Sequence, residues 1–364
     1  MVRTFHVAFT GDFLNAEGAS AYGDIHLDLL DRVPHVRYSF IKDQAPRGDD
    51  RGYWDRLYSM EVTPEQIGGA DGLVVLRPWV KRSTFSRGAP RLVAIGRSGA
   101  GYDKIDVAAC TENDVALFNA PRALNHSTAS TALLFMLALA KRLFAQDRIT
   151  RQARWDLQAA VMGSEIEGRT LGIVGSGHSG RELARLAAPF SMRVLAFSPH
   201  ADPAEARRFG VRLAALEEVM AESDFVSIHA RLTESTRRLI GSPELALMKP
   251  TAFLVNIARG EIVDQPALVK CLRERRIAGA GLDVFAVEPL PADDPLITLD
   301  NVILTPHWSP ATTDIWQATG RAMSEGMLRV AQGDVPENVV NREVLSRPGF
   351  IAKLARFAEN RSVP

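Results

Sequence analysis

The sequence has little cysteine: only Cys110 and Cys271 occur among its 364 residues. They lie far apart and in apolar surroundings, which argues against a disulfide framework and against a metal site built from thiolates. We therefore expect no metal, and a reducing compartment such as the cytoplasm fits this cysteine usage best.

An excess of charge of either sign is absent as well. Lysine and arginine together number 43, and aspartate and glutamate also number 43. Proteins that bind nucleic acid concentrate positive charge on one face, and this sequence has no long basic run. We therefore expect no nucleic-acid partner, and a small molecule as the ligand.

Long hydrophobic runs are also missing. The longest, Ala132 to Ala140, is too short to cross a bilayer, and residues 1–7 lack the apolar core of a signal peptide. These features predict a cytoplasmic protein with no membrane partner.

What the sequence does contain is a series of short apolar segments separated by helical or polar ones. Because the chain is about twice the usual domain size, two domains are expected. Strands that alternate with helices form parallel sheets, so the predicted fold class is α/β with two doubly wound parallel-sheet domains. The candidate strands are residues 5–9, 73–76, 92–95, 115–118, 171–174, 194–197, 225–228, 252–255, 280–284 and 302–304.

Two long helices indicate how the domains connect. Residues 128–142 are apolar nearly all round, as in a helix buried on several sides. A second helix, from Asp314 to about Gln332, follows the last strand and is expected to return to the first sheet. The predicted domains are therefore 1–120 with 312–364, and 121–311.

Two segments stand outside this pattern. Residues 41–60 have no regular period, and the sequence assigns them no role. The last residues, 359–364, are expected to be frayed, as chain termini often are.

A glycine-rich turn follows the strand at residues 171–174. Gly175, Gly177 and Gly180 have the GxGxxG spacing of a dinucleotide-binding turn, and an amphipathic helical pattern comes next. In such a turn the first glycine bends the chain, the second lets the backbone approach a pyrophosphate, and the third lets strand and helix pack closely. We therefore predict NAD or NADP at the helix N-terminus, the alternative being a glycine-rich turn without a ligand.

Three polar residues follow strand ends in the second sheet, where doubly wound sheets present functional groups. They are Arg259, Glu288 and His307. This set suits hydride transfer to a carbon beside a carboxylate. A nicotinamide supplies the hydride, the histidine exchanges the proton and the glutamate orients it, while the arginine presents a planar fork to carboxylate and carbonyl oxygens.

These segments resemble the D-isomer-specific 2-hydroxyacid dehydrogenase family. The family motif N-x-x-R-G-x-x-V-D matches residues 256–264, G-L-D-V-F matches 281–285, and T-P-H matches 305–307. The resemblance implies a Rossmann cofactor domain inserted in a flavodoxin-like substrate domain. It also implies that Arg259, Glu288 and His307 are catalytic in interconverting a 2-keto acid and a D-2-hydroxy acid.

The resemblance extends to the first domain, where residues 97–106 are similar to the family's substrate loop. Backbone N–H groups around Ala100 and Gly101 would then hold the substrate carboxylate. Arg77 adds a second charge to the pocket or is an ordinary surface arginine, and both alternatives stay open. The expected substrate contacts are Ser98, Gly99, Ala100, Gly101, Arg77, Arg259 and Trp308.

By the same resemblance Asp283 lies beside the nicotinamide. His229 follows a strand and is either a cofactor contact or a structural residue. The expected cofactor contacts are Gly175, Gly177, His178, Ser179, Gly180, Ser198, His200, His229, Ala230, Arg231, Ala258, Asp283 and His307.

One departure from the family pattern bears on the choice of cofactor. NAD-binding members end the second strand of this domain with an acidic residue that bonds the adenosine ribose, whereas this sequence has Ser198 followed by Pro199 and His200. The serine removes a negative charge that would repel a 2′-phosphate, and Arg231 could approach the same end. We therefore expect NADP to be tolerated or preferred.

Three further interpretations complete the prediction. A nicotinamide-sensing, corepressor-like regulator with little turnover is the alternative to an enzyme, because such proteins keep these residues. The family resemblance and the apolar helix at 128–142 suggest a homodimer. Asp264 is interpreted as the N-cap of a helix rather than as a catalytic acid.

Overall fold

The computed structural model describes residues 2–48 and 50–362. The chain forms two compact units, Met1–Leu124 with Ala311–Pro364, and Asn125–Pro310. The second unit is thus inserted into the first, with one boundary after Leu124 where the sequence suggested residue 120. Each unit is built on one parallel sheet.

Twelve strands are present in the described part of the chain. They are β1 (Phe5–Phe9), β2 (Val36–Phe40), β3 (Gly72–Val75), β4 (Ala94–Arg97), β5 (Ala116–Asn119), β6 (Thr170–Val174), β7 (Arg193–Phe197), β8 (Val211–Leu213), β9 (Phe225–Ile228), β10 (Phe253–Asn256), β11 (Gly279–Leu282) and β12 (Val302–Leu304).

The described residues also form thirteen α-helices. They are α1 (Asp28–Asp31), α2 (Tyr53–Ser59), α3 (Pro64–Ile67), α4 (Val107–Glu112), α5 (Asn125–Ala140), α6 (Leu143–Arg151), α7 (His178–Ala187), α8 (Pro203–Arg208), α9 (Leu216–Glu222), α10 (Ser242–Leu247), α11 (Gln265–Arg273), α12 (Thr313–Ala331) and α13 (Pro348–Ala355).

The sheet of the first unit has the strand order β2-β1-β3-β4-β5, and all its pairs are parallel. This is the flavodoxin-like doubly wound order. The long helix α12 packs on β3 and β4 through two methionines. A side-chain carbon at Gly72 would lie 2.6 Å from the sulfur of Met327, and one at Gly96 would lie 2.9 Å from that of Met323. Glycine in these strands therefore makes room for the helix.

The sheet of the second unit has the order β12-β11-β10-β9-β6-β7-β8, and it too is entirely parallel. Counted from its own first strand, this is the Rossmann order 3-2-1-4-5-6 with one further strand. The prediction of two doubly wound parallel-sheet domains is confirmed. Helix α5 is buried at half of its sixteen residues, as its apolar composition predicted.

Two strands were missed from the sequence, and both lie at sheet edges. In β2 the apolar residues alternate with Arg37 and Ser39, and its burial never exceeds the intermediate class. Strand β8 has three residues and one buried position. These two edge strands bury too little apolar surface to show as a continuous apolar run, whereas the edge strands β5 and β12 are apolar enough to do so.

The expectation of a frayed C-terminus is wrong through residue 362. A 3-10 helix spans Ala358–Ser362, and Asn360 within it is only 1% exposed. Its side-chain amide donates to the carbonyls of Arg3 and Ala331, and its side-chain oxygen accepts from the Arg3 N–H. Residues 363 and 364, also covered by that expectation, lie outside the described residues.

The segment 41–60, unassigned from sequence, packs into the first unit. Tyr53 and Leu57 of α2 are buried, and the Tyr53 hydroxyl donates to the carbonyl of Gln44 over 3.1 Å. Gln44 is itself buried.

No single helix of the described chain has both the length and the apolar character needed to cross a membrane. Helices α5 and α6, which meet at a bend of 57°, reach that length and composition only as a pair.

Candidate active site

Three neighbouring strands of the second unit bring the predicted catalytic residues together. Because β10, β11 and β12 are adjacent and parallel, the segments that follow them meet at one edge of the sheet. Arg259 follows β10, Glu288 follows β11 and His307 follows β12. A side-chain carbon at Gly260 would lie 1.9 Å from the carbonyl carbon of Phe285, so only glycine allows this contact between the first two segments.

His307 and Glu288 form a hydrogen-bonded pair. The imidazole Nδ1 lies 2.7 Å from Oε2 of Glu288, whose Oε1 accepts the backbone N–H of Phe285 over 3.0 Å. Burial on its own would raise the pKa of Glu288, but the hydrogen bond and charge of His307, with the N–H of Phe285 and the charge of Arg259, lower it overall. The carboxylate is therefore ionised and holds the ring through Nδ1. Nε2 makes no hydrogen bond with any described residue, so it is the nitrogen available for proton exchange.

The backbone of His307 is left-handed, with φ of +52°. Such a conformation costs a residue with a side chain about 1–2 kcal/mol, so neighbouring contacts must hold it. Asp283 provides them. Its Oδ1 accepts the Thr305 hydroxyl at 2.5 Å and the backbone N–H groups of Trp308 and Ser309 at 3.1 and 3.0 Å.

The second carboxylate oxygen of Asp283, Oδ2, lacks hydrogen bonds of the kind that Oδ1 accepts. Asp283 is 1% exposed, and its Oδ2 is buried with no hydrogen-bond partner in the described structure. Burial raises the pKa of Asp283, while the hydrogen bonds to Oδ1 and the charge of His307 oppose the rise. A buried acceptor without a donor suits a ligand that brings an N–H group, such as a carboxamide.

Arg259 is positioned by a residue that the sequence reasoning did not single out. Asn256 is 1% exposed at the end of β10. Its amide donates to the carbonyl of Arg259 over 2.9 Å, and its oxygen accepts the N–H of Ala258 over 3.1 Å. The Arg259 Nη1 in turn donates to the carbonyl of Ala258 at 2.7 Å. The available clue was that the asparagine of the N-x-x-R-G motif is also the polar last residue of an otherwise apolar strand.

A second positioning residue, Gln265, also escaped the sequence analysis. Its Oε1 accepts the N–H of Ala286 at 2.9 Å, and its Nε2 donates to Asp294 at 2.8 Å, so α11 is tied to the segment that carries Glu288. The neighbouring Asp264 accepts the N–H of Ala267, which confirms its interpretation as the N-cap of α11.

The glycine turn has the geometry of a pyrophosphate cradle. Gly175 has φ of +99°, and a side-chain carbon there would lie 2.5 Å from the backbone nitrogen of Ala230. A side-chain carbon at Gly180 would lie 2.5 Å from the carbonyl oxygen of Gly175. Gly177, by contrast, faces open space, and it starts α7 without a side-chain cap. The free N–H groups of this ten-residue helix therefore fit a dinucleotide phosphate.

His229 links this turn to the sheet. Its Nδ1 lies 3.0 Å from the Ser179 hydroxyl in the first turn of α7, and its Nε2 lies 3.0 Å from the Ser227 hydroxyl in β9. Burial lowers the pKa of His229 to about 3, so the ring is neutral. These bonds give His229 the structural role that was one of its two alternatives, and a cofactor contact by the same residue stays a prediction.

The end of β7 has no carboxylate of its own. Ser198 is half-buried there and His200 is exposed, as is Arg231 after β9. Of the carboxylates that follow, Asp202 accepts the N–H of Ala204 as the N-cap of α8, and Glu205 pairs with Arg181. Both are engaged elsewhere.

The predicted substrate loop of the first unit presents free backbone donors. The carbonyls of Ser98, Gly99 and Ala100 accept from the Arg97 side chain, the Ala120 N–H and the Asn119 amide. The N–H groups of Gly99, Ala100 and Gly101 make no hydrogen bond within residues 2–48 and 50–362. Consecutive free N–H groups are suited to a carboxylate.

Comparisons with known proteins agree with this geometry. The family model described as "D-isomer specific 2-hydroxyacid dehydrogenase, NAD binding domain" matches residues 133–309. A glyoxylate reductase of Korarchaeum cryptofilum is 38% identical over 321 residues, covering 87% of this chain and 93% of the relative. The chain belongs to the D-isomer-specific 2-hydroxyacid dehydrogenase family.

Further relatives of this family give the same picture. A glyoxylate reductase of Thermococcus onnurineus is 40% identical over 301 residues, covering 80% of this chain and 90% of the relative. The crystal structure of a glyoxylate reductase from Paecilomyes thermophila matches with a TM-score of 0.77 and 26% identity, over 93% of this chain and 99% of that one. The second unit of the present chain is thus the NAD-binding domain of a family of 2-hydroxyacid oxidoreductases.

One of the two alternatives that the sequence left open for Arg77 in this dehydrogenase is wrong. It is not a surface arginine, since its side chain is 12% exposed and pairs with the buried carboxylate of Asp12 at 3.4 Å. Its Nη1 also donates to the Tyr22 hydroxyl at 2.9 Å, and its guanidinium lies 5.3 Å from the centre of the Trp54 ring. Asp12 already supplies Arg77 with an opposite charge.

Proposed function

We propose that this dehydrogenase catalyses the reversible, NAD(P)H-dependent reduction of a small 2-keto acid to a D-2-hydroxy acid. The hydrogen bond between His307 and Glu288, beside Arg259 in an NAD-binding domain, is the observation that carries the proposal. The glyoxylate reductases among its relatives support a small 2-keto acid as substrate.

The cofactor would be held by this chain's own residues. The N–H groups at the start of α7 and the open face of Gly177 would bind the pyrophosphate, and Oδ2 of Asp283 would accept the carboxamide of the nicotinamide. The bound nicotinamide supplies the hydride for reduction. His178, Ser179, Ala230 and Ala258 complete the proposed contacts.

In reduction, the hydride forms a new C–H bond at C2 while the carbonyl π electrons move to oxygen, and His307 delivers a proton from Nε2 to that oxygen. Glu288 stays ionised and compensates the positive ring before transfer. Arg259 binds the carboxylate and the keto oxygen through its planar fork. Oxidation follows the same path in reverse, with His307 accepting the proton.

Substrate selection is a further part of the proposal. The free N–H groups of Gly99, Ala100 and Gly101 would bind the substrate carboxylate, with Ser98 supporting that loop. Trp308, half-buried beside His307, and Arg77 in the first unit are further proposed substrate contacts.

A panel assay tests the activity. Oxidation of NADH and NADPH is followed with glyoxylate, pyruvate, hydroxypyruvate and longer 2-keto acids. Turnover with one or more of them is the expected result. Tight cofactor binding by fluorescence without turnover on any acid would instead support the nicotinamide-sensing regulator.

For the cofactor we propose that NADP is tolerated or preferred, because Ser198 replaces a carboxylate and the following acids are engaged. The matched variant is Ser198→Asp, which restores the ribose-binding acid. It should lower the NADPH-to-NADH ratio of kcat/KM about tenfold or more, the scale of one charged hydrogen bond. A wild-type enzyme with a large preference for NADH would contradict the proposal.

A further inference from the structure

A cavity of about 480 Å³ lies on the NAD-binding domain, in the size range of small-molecule sites. None of the three proposed catalytic residues lines it. Its charged lining residues are Glu234, Arg237, Arg238, Glu261 and Asp264.

Two chain segments form the walls of this cavity and are joined by backbone hydrogen bonds. In the segment after β9, the backbone N–H of Arg238 donates to the carbonyl of Glu261 at 2.8 Å. The backbone N–H of Ile240 donates to the carbonyl of Ile262 at 3.1 Å. The N–H of Asp264 returns a bond to the carbonyl of Ile240 at 2.9 Å. The walls are therefore built before any ligand binds, which lowers the ordering cost of binding.

The charged groups around the cavity are three carboxylates and two guanidinium groups, and they are not paired with one another. Asp264 is engaged as the N-cap of α11. Of the remaining four, Glu234, Arg237, Arg238 and Glu261 form no ion pair with any residue that the structure describes, although surface arginines elsewhere do, as Arg212 does with Glu218. Two guanidinium groups and two carboxylates then complement a ligand that carries both signs, whereas a simple anion or cation would meet like charge.

We propose that this cavity binds a free α-amino acid as its zwitterion. The two arginines present planar forks that match an α-carboxylate, and the two glutamates accept the three N–H donors of an ammonium group. Such a ligand is far smaller than the cavity, which leaves room for a side chain.

The cavity is also connected to the proposed catalytic residues of the same unit. Glu261 comes two residues after Arg259, and Gln265, which bonds the N–H of Ala286, ties the cavity wall to the segment that carries Glu288. A bound amino acid should therefore change KM for the 2-keto acid. This coupling rests on the proposed function, whereas the binding itself does not.

Calorimetric titration of the full chain with glycine, L-serine and L-alanine tests the binding. Succinate and ethanolamine serve as probes that carry only one kind of charge. We expect at least one amino acid to bind saturably with Kd in the millimolar range. Succinate and ethanolamine should each bind at least about tenfold more weakly. The absence of saturable binding for all three amino acids would overturn the proposal, as would succinate binding as tightly as they do.

Two double variants locate the site. Arg237→Ala with Arg238→Ala, and Glu234→Gln with Glu261→Gln, should each weaken binding about tenfold or more. Arg273→Ala changes an exposed arginine of α11 outside the cavity and should leave binding unchanged. Equal binding by the wild type and both double variants, with native melting temperatures, would rule the cavity out. Loss of the KM effect with binding retained would refute only the coupling.

Discussion

Single side chains in the NAD-binding domain divide the tasks of orienting the ring of His307 and positioning the backbone around it. Glu288 holds the ring of His307 through one oxygen and is itself held by the N–H of Phe285 through the other. Asp283 uses Oδ1 to organise the backbone around His307 and keeps Oδ2 without a partner. The histidine is thus oriented from both its side chain and its backbone.

The His307→Asn variant separates proton transfer from binding. Asparagine cannot donate a proton near neutral pH, so kcat for 2-keto acid reduction should fall about 10²–10⁴-fold, the range of general acid catalysis. The dissociation constant for NADH should change far less than kcat, because most of the proposed cofactor contacts lie at other residues. Steady-state kinetics and fluorescence titration measure the two quantities. Turnover close to wild type would remove His307 from its proposed role.

At the scale of elements, α5 and α7 are clipped together by Glu182. Its carboxylate binds Arg185 of α7 and, at 2.8 Å, Nδ1 of His126 in α5. The hydrogen bond to Arg185 contributes most to lowering the pKa of Glu182 to about 2, burial opposes the shift, and His126 adds to it. The ionised carboxylate therefore favours the folded state.

This clip predicts a dependence of stability on pH. Because the folded pKa lies below the usual value of 4.5, the stabilisation is complete above pH 4.5 and disappears as the pH falls towards 2. The Glu182→Gln variant should be less stable than wild type by about 0.5–1 kcal/mol at neutral pH, with the difference shrinking below pH 4.5. Urea unfolding measures it, and Glu167→Gln, at an exposed position outside α5 and α7, is the control. A difference constant across pH would contradict the clip.

Asn360 joins three elements of the first unit. Asn360 itself belongs to the last 3-10 helix. Its side chain forms hydrogen bonds to the backbone of Arg3, just before β1, and to the carbonyl of Ala331, at the C-terminal end of α12. The Asn360→Ala variant leaves the buried carbonyl of Ala331 and the part-buried backbone groups of Arg3 without these partners, and it should lower the free energy of unfolding by about 1–3 kcal/mol. Glu337→Ala, at an exposed position, is the matched control. Equal stability of the two variants would mean that the tail is not held by this residue.

Which elements the sequence predicts follows from how they are buried. Strands such as β1, β9 and β12 were placed at their observed bounds because central or fully apolar strands form continuous hydrophobic runs. Edge strands β2 and β8 do not. The positions of Arg259, Glu288 and His307 after strand ends were predictable from topology. The contacts of Gln265 and Asp283 depend on which loops touch, and no local pattern encodes that.

For the whole molecule, the predicted homodimer has a candidate surface on the NAD-binding domain. Large apolar side chains are exposed there at Leu134, Leu143, Phe144, Trp155 and Met162. Large apolar side chains that are left exposed to solvent are typical of a protein interface. Sedimentation should show a dimer, and Phe144→Glu with Trp155→Glu should convert it to a monomer that keeps its fold by circular dichroism. A wild-type monomer at assay concentration would contradict the prediction.

The insertion of one unit into the other has a consequence for synthesis on the ribosome. The NAD-binding unit is continuous, from Asn125 to Pro310, and can complete its sheet as soon as it has emerged. The first unit cannot, because the strand positions around Gly72 and Gly96 are covered by methionines of α12, which is translated only after the whole insert. The N-terminal sheet of the first unit therefore keeps an exposed apolar face until α12 has been synthesised. A chaperone that binds exposed apolar surface would act mainly at this nascent stage.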